Sequence, residues 1–221
     1  MKDLGKAFSF MFEDPSWVLK VLIAAFFMLL SFLGIGIFVL LGYVVELTQR
    51  VMRREQYPLP EWKDVGVKFV VGFKYFVVLI VYTLPIIFLL IPLFVLTIIT
   101  ALTGGSEGLN ALVAVYTFGF IFLMVPYVLF FTFLTPIITY RFALRERIAD
   151  GLDVGRIVQE FRRNWQNTVV VALISVSLET FACIGILAFV IGIFFTMFYA
   201  YAVGGYMYGA LYLSTQEGVV V

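Results

Sequence analysis

The sequence predicts an all-α, polytopic transmembrane helix bundle with about six membrane segments and two interfacial amphipathic helices on the cytoplasmic side. Three observations predict it. First, 63% of the 221 residues are hydrophobic and only 13% are charged, whereas a soluble domain is about 45–50% apolar and about 25% charged. A soluble fold of this size could not hide that excess, so it faces lipid. Second, all 15 basic residues fall in three blocks. Third, the apolar runs between the blocks reach or exceed the roughly 20 residues that a helical span needs.

The whole chain, 1–221, reads as one integral membrane domain. Asp14-Pro15 ahead of Trp17 suits a helix start, because Asp can accept from free N–H groups and Pro fits a first turn. Residues 17–47 read best as two short segments, 17–33 and 36–48, turning near Gly34-Ile35-Gly36. This keeps Lys2, Lys6 and Lys20 on the basic side; a single crossing, giving four or five segments in all, is the alternative. Glu46 and Arg50 are spaced as an i,i+4 ion pair at the membrane edge. Lys20 and Lys74 are placed to snorkel towards headgroups.

The second basic block, Arg50 to Lys74, contains Pro58 and Pro60. Pro60 is expected to open an amphipathic helix with Trp62, Val65, Phe69, Phe73 and Phe76 on one face and Lys63, Lys68 and Lys74 mostly on the other. The segments 75–102 and 111–140 follow, joined by the acidic turn Gly104-Gly105-Ser106-Glu107-Gly108. Because Lys and Arg mark cytoplasmic loops, this turn is placed outside. Pro85, Pro92, Pro126 and Pro136 can kink these two segments, and kinked helices with threonines such as Thr97 and Thr100 could line a cavity.

The third block, Arg141 to Arg163, repeats the interfacial pattern: Val154, Ile157, Val158, Phe161 and Trp165 form a stripe, Asp153 can cap it, and Arg156, Glu160 and Arg163 are spaced to pair on its wet side. Segments 168–186 and 190–213 close the chain, with a turn expected between Gly185 and Gly192. Ile35-Gly36-Ile37-Phe38 recurs as Ile191-Gly192-Ile193-Phe194, but the flanking spacings do not match and chance recurrence is the better reading.

The composition also excludes chemistry. The chain has no histidine and one cysteine, Cys183, so His-based metal sites, triads and thiolate clusters are absent. A net charge of +1 offers no field for nucleic acid. No catalytic, cofactor or metal constellation is expected. Glu179 is the one carboxyl that topology does not explain. It stands near the middle of a segment, where a charge costs about 2.5–3.5 kcal/mol on insertion scales. It reads either as an interhelical hydrogen-bonding group, as a polar notch facing a partner subunit, or as a proton-coupling carboxyl. Arg50, Arg53, Arg54, Trp62, Arg162, Arg163 and Trp165 are the candidate contacts for lipid headgroups or a partner; holding topology is the plainer reading of the basic blocks.

Some of these residues form an ordered set: Phe12-Glu13-Asp14-Pro15-Ser16-Trp17, then Gly42-Tyr43, then Leu59-Pro60-Glu61-Trp62 ahead of Gly66 and Gly72, and an aromatic, glycine-rich close from Phe194 to Tyr212. The order resembles the prokaryotic membrane family called domain of unknown function 4013, over nearly the whole chain. The resemblance implies a bacterial or archaeal cytoplasmic-membrane protein and transfers no catalytic residue. Function is therefore expected to be that of a non-enzymatic accessory or scaffold subunit. Its expected partners are membrane lipids, other membrane proteins or a second copy of the chain. A small-solute or ion transporter using Glu179 is the alternative. A lipid-modifying enzyme using Glu61, Asp64, Asp150 and Asp153 is the distant third.

Overall fold

The computed structural model describes residues 4–182 and 192–217. They form helices α1 (Leu4–Glu13), α2 (Trp17–Leu30), α3 (Gly36–Met52), α4 (Val65–Thr103), α5 (Glu107–Arg145), α6 (Ile148–Gly151), α7 (Val154–Arg163), α8 (Trp165–Ala182) and α9 (Gly192–Glu217), with a 3-10 turn at Ser31–Leu33. No strand occurs among the described residues. Two helices, α4 and α5, are long and apolar enough to cross a membrane; a third span exists if α1 and α2, bent by 99° at residues 14–16, count together. The expected six segments are thus met only in this coarser form. Helix α3 has 17 residues, short of the usual span. Helix α9 is long enough, but its tyrosines and glycines dilute its hydropathy. The turn expected between Gly185 and Gly192 lies outside the described residues.

The chain divides into two compact units, residues 1–78 with 133–221, and residues 79–132. In the first, α9 packs against α1, α2, α3 and α8. Small residues let it come close: a β-carbon on Gly209 would lie 2.7 Å from the Thr48 carbonyl oxygen. The Thr48 hydroxyl donates to the Gly205 carbonyl at 3.1 Å, a polar tie between α3 and α9 of the kind that small-residue interfaces permit. Gly42 and Gly72 do the same for α3 and α4, where any side chain would collide with backbone, at Lys68 and Phe38 respectively.

The second unit is an apolar helical hairpin. Its turn follows the expected one, with Gly104 and Gly105 at φ 73° and 65°, a region that glycine enters without steric cost. Helices α4 and α5 run through Pro85, Pro92, Pro126 and Pro136 without interruption. The Thr97 and Thr100 hydroxyls donate to Leu93 and Leu96 of their own helix, at 2.8 and 2.9 Å. The phenols of Tyr116 and Tyr127 cross the hairpin to the carbonyls of Leu89 and Tyr82, at 3.0 and 2.5 Å.

Two local expectations are corrected. Pro60 does not open a helix. Residues 55–64 are non-helical, and α4 starts at Val65 after Asp64, whose φ is 55°. The carbonyls of Leu59 and Pro60 instead serve buried side chains, described below. The aromatic stripe is real but is not an interfacial helix of its own. Phe69, Phe73 and Phe76 surround the ring of Phe38 on α3, with centroids 5.1–5.4 Å away. The break near Gly34 is where the sequence puts it, with Gly34 left-handed at φ 79° closing the 3-10 turn.

Candidate functional site

Lys20 is the centre of the first polar cluster. It does not snorkel: the residue is 4% exposed. Its ammonium donates to Asp14 Oδ2 at 2.7 Å, Glu61 Oε1 at 2.8 Å and the Leu59 carbonyl at 2.9 Å. Those are three acceptors for three N–H donors. Asp14 Oδ1 takes the N–H and hydroxyl of Ser16, both at 2.8 Å, a local turn that launches α2 at Trp17. Trp62 donates its indole N–H to the Lys20 carbonyl at 2.8 Å. Its ring stacks between Tyr43 and Phe27, at 4.5 and 5.1 Å, and the Tyr43 phenol reaches the Pro60 carbonyl at 3.2 Å. Trp62, expected among the headgroup contacts, is partly buried and packs against the core through these rings. Burial raises the Asp14 carboxyl, but the hydrogen bonds from Lys20 and Ser16 outweigh it and hold its pKa below the usual carboxylate range. The hydrogen bond from Lys20 lowers that of Glu61.

A second cluster continues along α3 and α4. Glu46 pairs with Arg50 at 3.1 Å, as its i,i+4 spacing suggests, and also with buried Lys68 at 2.7 Å. Lys68, expected on the wet face, sends a further N–H to the Lys63 carbonyl at 3.0 Å. Arg50 reaches Glu55 at 3.6 Å.

The third cluster bounds a cleft of about 290 Å³ lined by Arg141, Leu144, Arg145, Asp150, Arg156 and Tyr212. Helix α5 ends here, with Arg145 in its last turn. Asp153 caps α7 by accepting the Arg156 N–H at 3.1 Å, as expected. Glu160 does not pair along α7 with Arg156 and Arg163. It turns to α5, accepting from the Arg141 guanidinium and the Tyr140 phenol. Arg156 pairs instead with Asp153 at 3.0 Å. The sequence reading missed Arg141 and Tyr212. The available signal for Arg141 was an arginine directly following a long apolar run, with an acidic helix close behind.

The remaining predicted residues are placed as follows. Glu179 stands exposed on α8. Arg53, Arg162 and Arg163 are exposed, Arg54 occupies a left-handed turn at φ 57°, and Trp165 is 54% exposed. Of the loop carboxylates, Glu61 serves Lys20, Asp64 starts α4, Asp153 caps α7 and Asp150 lines the cleft. Among the described residues, no three acidic, cysteine or histidine side chains are grouped to hold a metal.

Against known proteins, a family model described as "Protein of unknown function (DUF4013)" matches residues 25–197. The chain belongs to this family. The match includes Gly42-Tyr43 and Leu59-Pro60-Glu61-Trp62, while Asp14 and Trp17 precede it and most of α9 follows it. No curated protein and no solved structure matches the chain. In three dimensions, three of the sequence pieces that suggested the family meet: those around Asp14 and Trp62 at Lys20, and Tyr43 on Trp62 and Pro60. They form a clasp that holds the 55–64 loop against α2 and α3.

Proposed function

We propose that this family member is a non-enzymatic membrane module, an accessory or scaffold subunit of a prokaryotic cytoplasmic membrane. The observation that carries the reading is the 79–132 hairpin. It contains one charged residue, Glu107, and turns large side chains outward, with Phe88, Phe118 and Phe122 68–75% exposed. Such a surface suits lipid or the helices of another membrane protein. The clusters around Lys20 and Lys68 are closed on themselves, as parts of a rigid frame are. The topology we propose retains six segments with the N-terminus and the basic blocks inside, the short segments of the first unit being completed by tilt and by packing on α9.

The test is photo-crosslinking in native membranes from a benzoylphenylalanine at position 118. A discrete adduct with another membrane protein or a second copy supports the module. Lipid adducts alone, with a monodisperse monomer after gentle extraction, sink it. Proton-coupled transport is a separate outcome, which would require an ion or solute flux in vesicles that Glu179→Gln abolishes. Labelling of single cysteines at positions 2, 106 and 147, in a Cys183→Ser background, checks the sidedness: 2 and 147 should react from one face and 106 from the other.

A further inference from the structure

The cleft at the end of α5 has a charge pattern that selects a ligand. Three guanidiniums stand in or on it, Arg141, Arg145 and Arg156. Three carboxylates oppose them: Asp150 in the lining, with Asp153 and Glu160 behind. Arg141 is buried and fixed. Its NH1 meets Glu160, its Nε donates to the Asp150 carbonyl at 3.4 Å, and its NH2 lies a long 3.8 Å from Asp153. A guanidinium has five N–H donors, so Arg141 has donor capacity left over. Arg145 and Arg156 are open to solvent at the rim. Asp150 is the reverse case: its Oδ2 is buried and accepts no hydrogen bond. A buried carboxylate oxygen without a donor is unfavourable, and because Asp150 lines the cleft, a turn of its side chain towards a ligand N–H relieves it.

The cleft therefore combines guanidinium donors with an Asp150 carboxylate in its lining, with formal charges that balance. A bare phosphate would satisfy the arginines, leave Asp150 unrelieved and make the cleft negative. A phosphate ester carrying an N–H donor a few atoms away satisfies both the arginines and Asp150 and adds little net charge. The volume lies near the low end of small-molecule sites, about 300 Å³, which suits a group of that size. We propose that this cleft binds a phosphoethanolamine group, with phosphate on Arg145, Arg156 and the remaining N–H groups of Arg141, and the ammonium on Asp150. The group can come from a phosphatidylethanolamine headgroup or from a free phosphoethanolamine ester. The site holds whether or not the accessory role does.

The experiment uses the full chain purified in maltoside. Binding of phosphatidylethanolamine, phosphatidylcholine and phosphatidylglycerol with matched acyl chains is read by native mass spectrometry. Binding of phosphoethanolamine, phosphocholine and inorganic phosphate is read by calorimetry. Choline keeps the charge but has no N–H, so it isolates the Asp150 contact. The expected result is about a tenfold or greater preference for ethanolamine over choline, the size of one charge-assisted hydrogen bond, in at least one of the two series. Selectivity in the lipid series alone marks a headgroup site; selectivity in the soluble series marks a soluble ester. Arg145→Gln with Arg156→Gln, both at exposed positions, should weaken ethanolamine binding at least about tenfold without shifting thermal unfolding. Asp150→Asn should erase the ethanolamine preference while leaving phosphate contacts. Equal binding of ethanolamine and choline forms in both series overturns the proposal. So does inorganic phosphate binding as tightly as phosphoethanolamine, or full ethanolamine binding in the double-arginine variant.

Discussion

Between Leu79 and Thr132 the chain carries a single charge, Glu107, whereas every lysine and arginine lies in the other compact unit. The two regions are held by different forces as a result. The hairpin relies on side-chain packing and on cross-helix phenol–carbonyl bonds such as those of Tyr116 and Tyr127, and its outer surface is apolar. The larger unit buries Lys20 and Lys68, each enclosed by acceptors. Burying a charge is costly unless it is paired and hydrogen-bonded, so losing one partner there is felt strongly. A lost contact in the hairpin leaves little more than an apolar surface for lipid or detergent to cover.

The largest expected effect is on the Lys20 clasp. Lys20→Ala leaves the buried Asp14 carboxylate without its cation, and such a break costs about 3–5 kcal/mol; thermal unfolding in maltoside should fall steeply or the chain should fail to fold. Next comes Gly72→Ala, which drives a methyl into the Phe38 carbonyl. Overpacking of this kind costs about 1–3 kcal/mol and should appear as a lower unfolding temperature. An unchanged temperature would show that α3 and α4 can separate freely.

The clasp should also respond to acid. Asp14 and Glu61 are both held below their ordinary values. Their contribution is complete above the unfolded carboxylate range, about pH 4–4.5, and is lost as pH falls through the lowered folded values. Wild-type unfolding temperature should therefore decline below about pH 4, and the decline should be shallower in Lys20→Met, which lacks the cation that lowers both groups. Parallel pH profiles for the two proteins would break this assignment.

Effects in the hairpin should be smaller. Tyr127→Phe removes one hydrogen bond to the Tyr82 carbonyl and should cost about 1 kcal/mol. Phe118→Leu, at a position 75% exposed, should stay within about 0.5 kcal/mol in detergent. If either matched Lys20→Ala, the contrast between the two regions would be wrong.

How much could be read from the sequence follows the range of the interaction. The glycine turns at 34–36 and 104–105, the Asp153 cap and the Glu46–Arg50 pair all act within a few residues, and each is where the pattern puts it. The pairing of Glu160 was misread, because spacing along α7 allowed Arg156 and Arg163, whereas folding brings α5 alongside with Arg141 and Tyr140. The stacking of Trp62 was not legible for the same reason: its partners, Phe27 and Tyr43, lie far off in the chain. The cleft was invisible, since Arg145, Asp150 and Tyr212 come together only when α5, α6 and α9 are assembled.

By itself the sequence determined helical class, membrane-grade hydropathy, the three basic blocks and the family, because composition and short-range periodicity are properties of the chain alone. Only the tertiary structure decided which charges are buried, that Lys20 is clasped by Asp14, Glu61 and the Leu59 carbonyl, and that an unsatisfied Asp150 faces a set of arginines. The physical reason is that a buried charge must find its partners in space. In this chain the closing partner can be some 39 residues away, as Leu59 is from Lys20, a separation that no local pattern encodes.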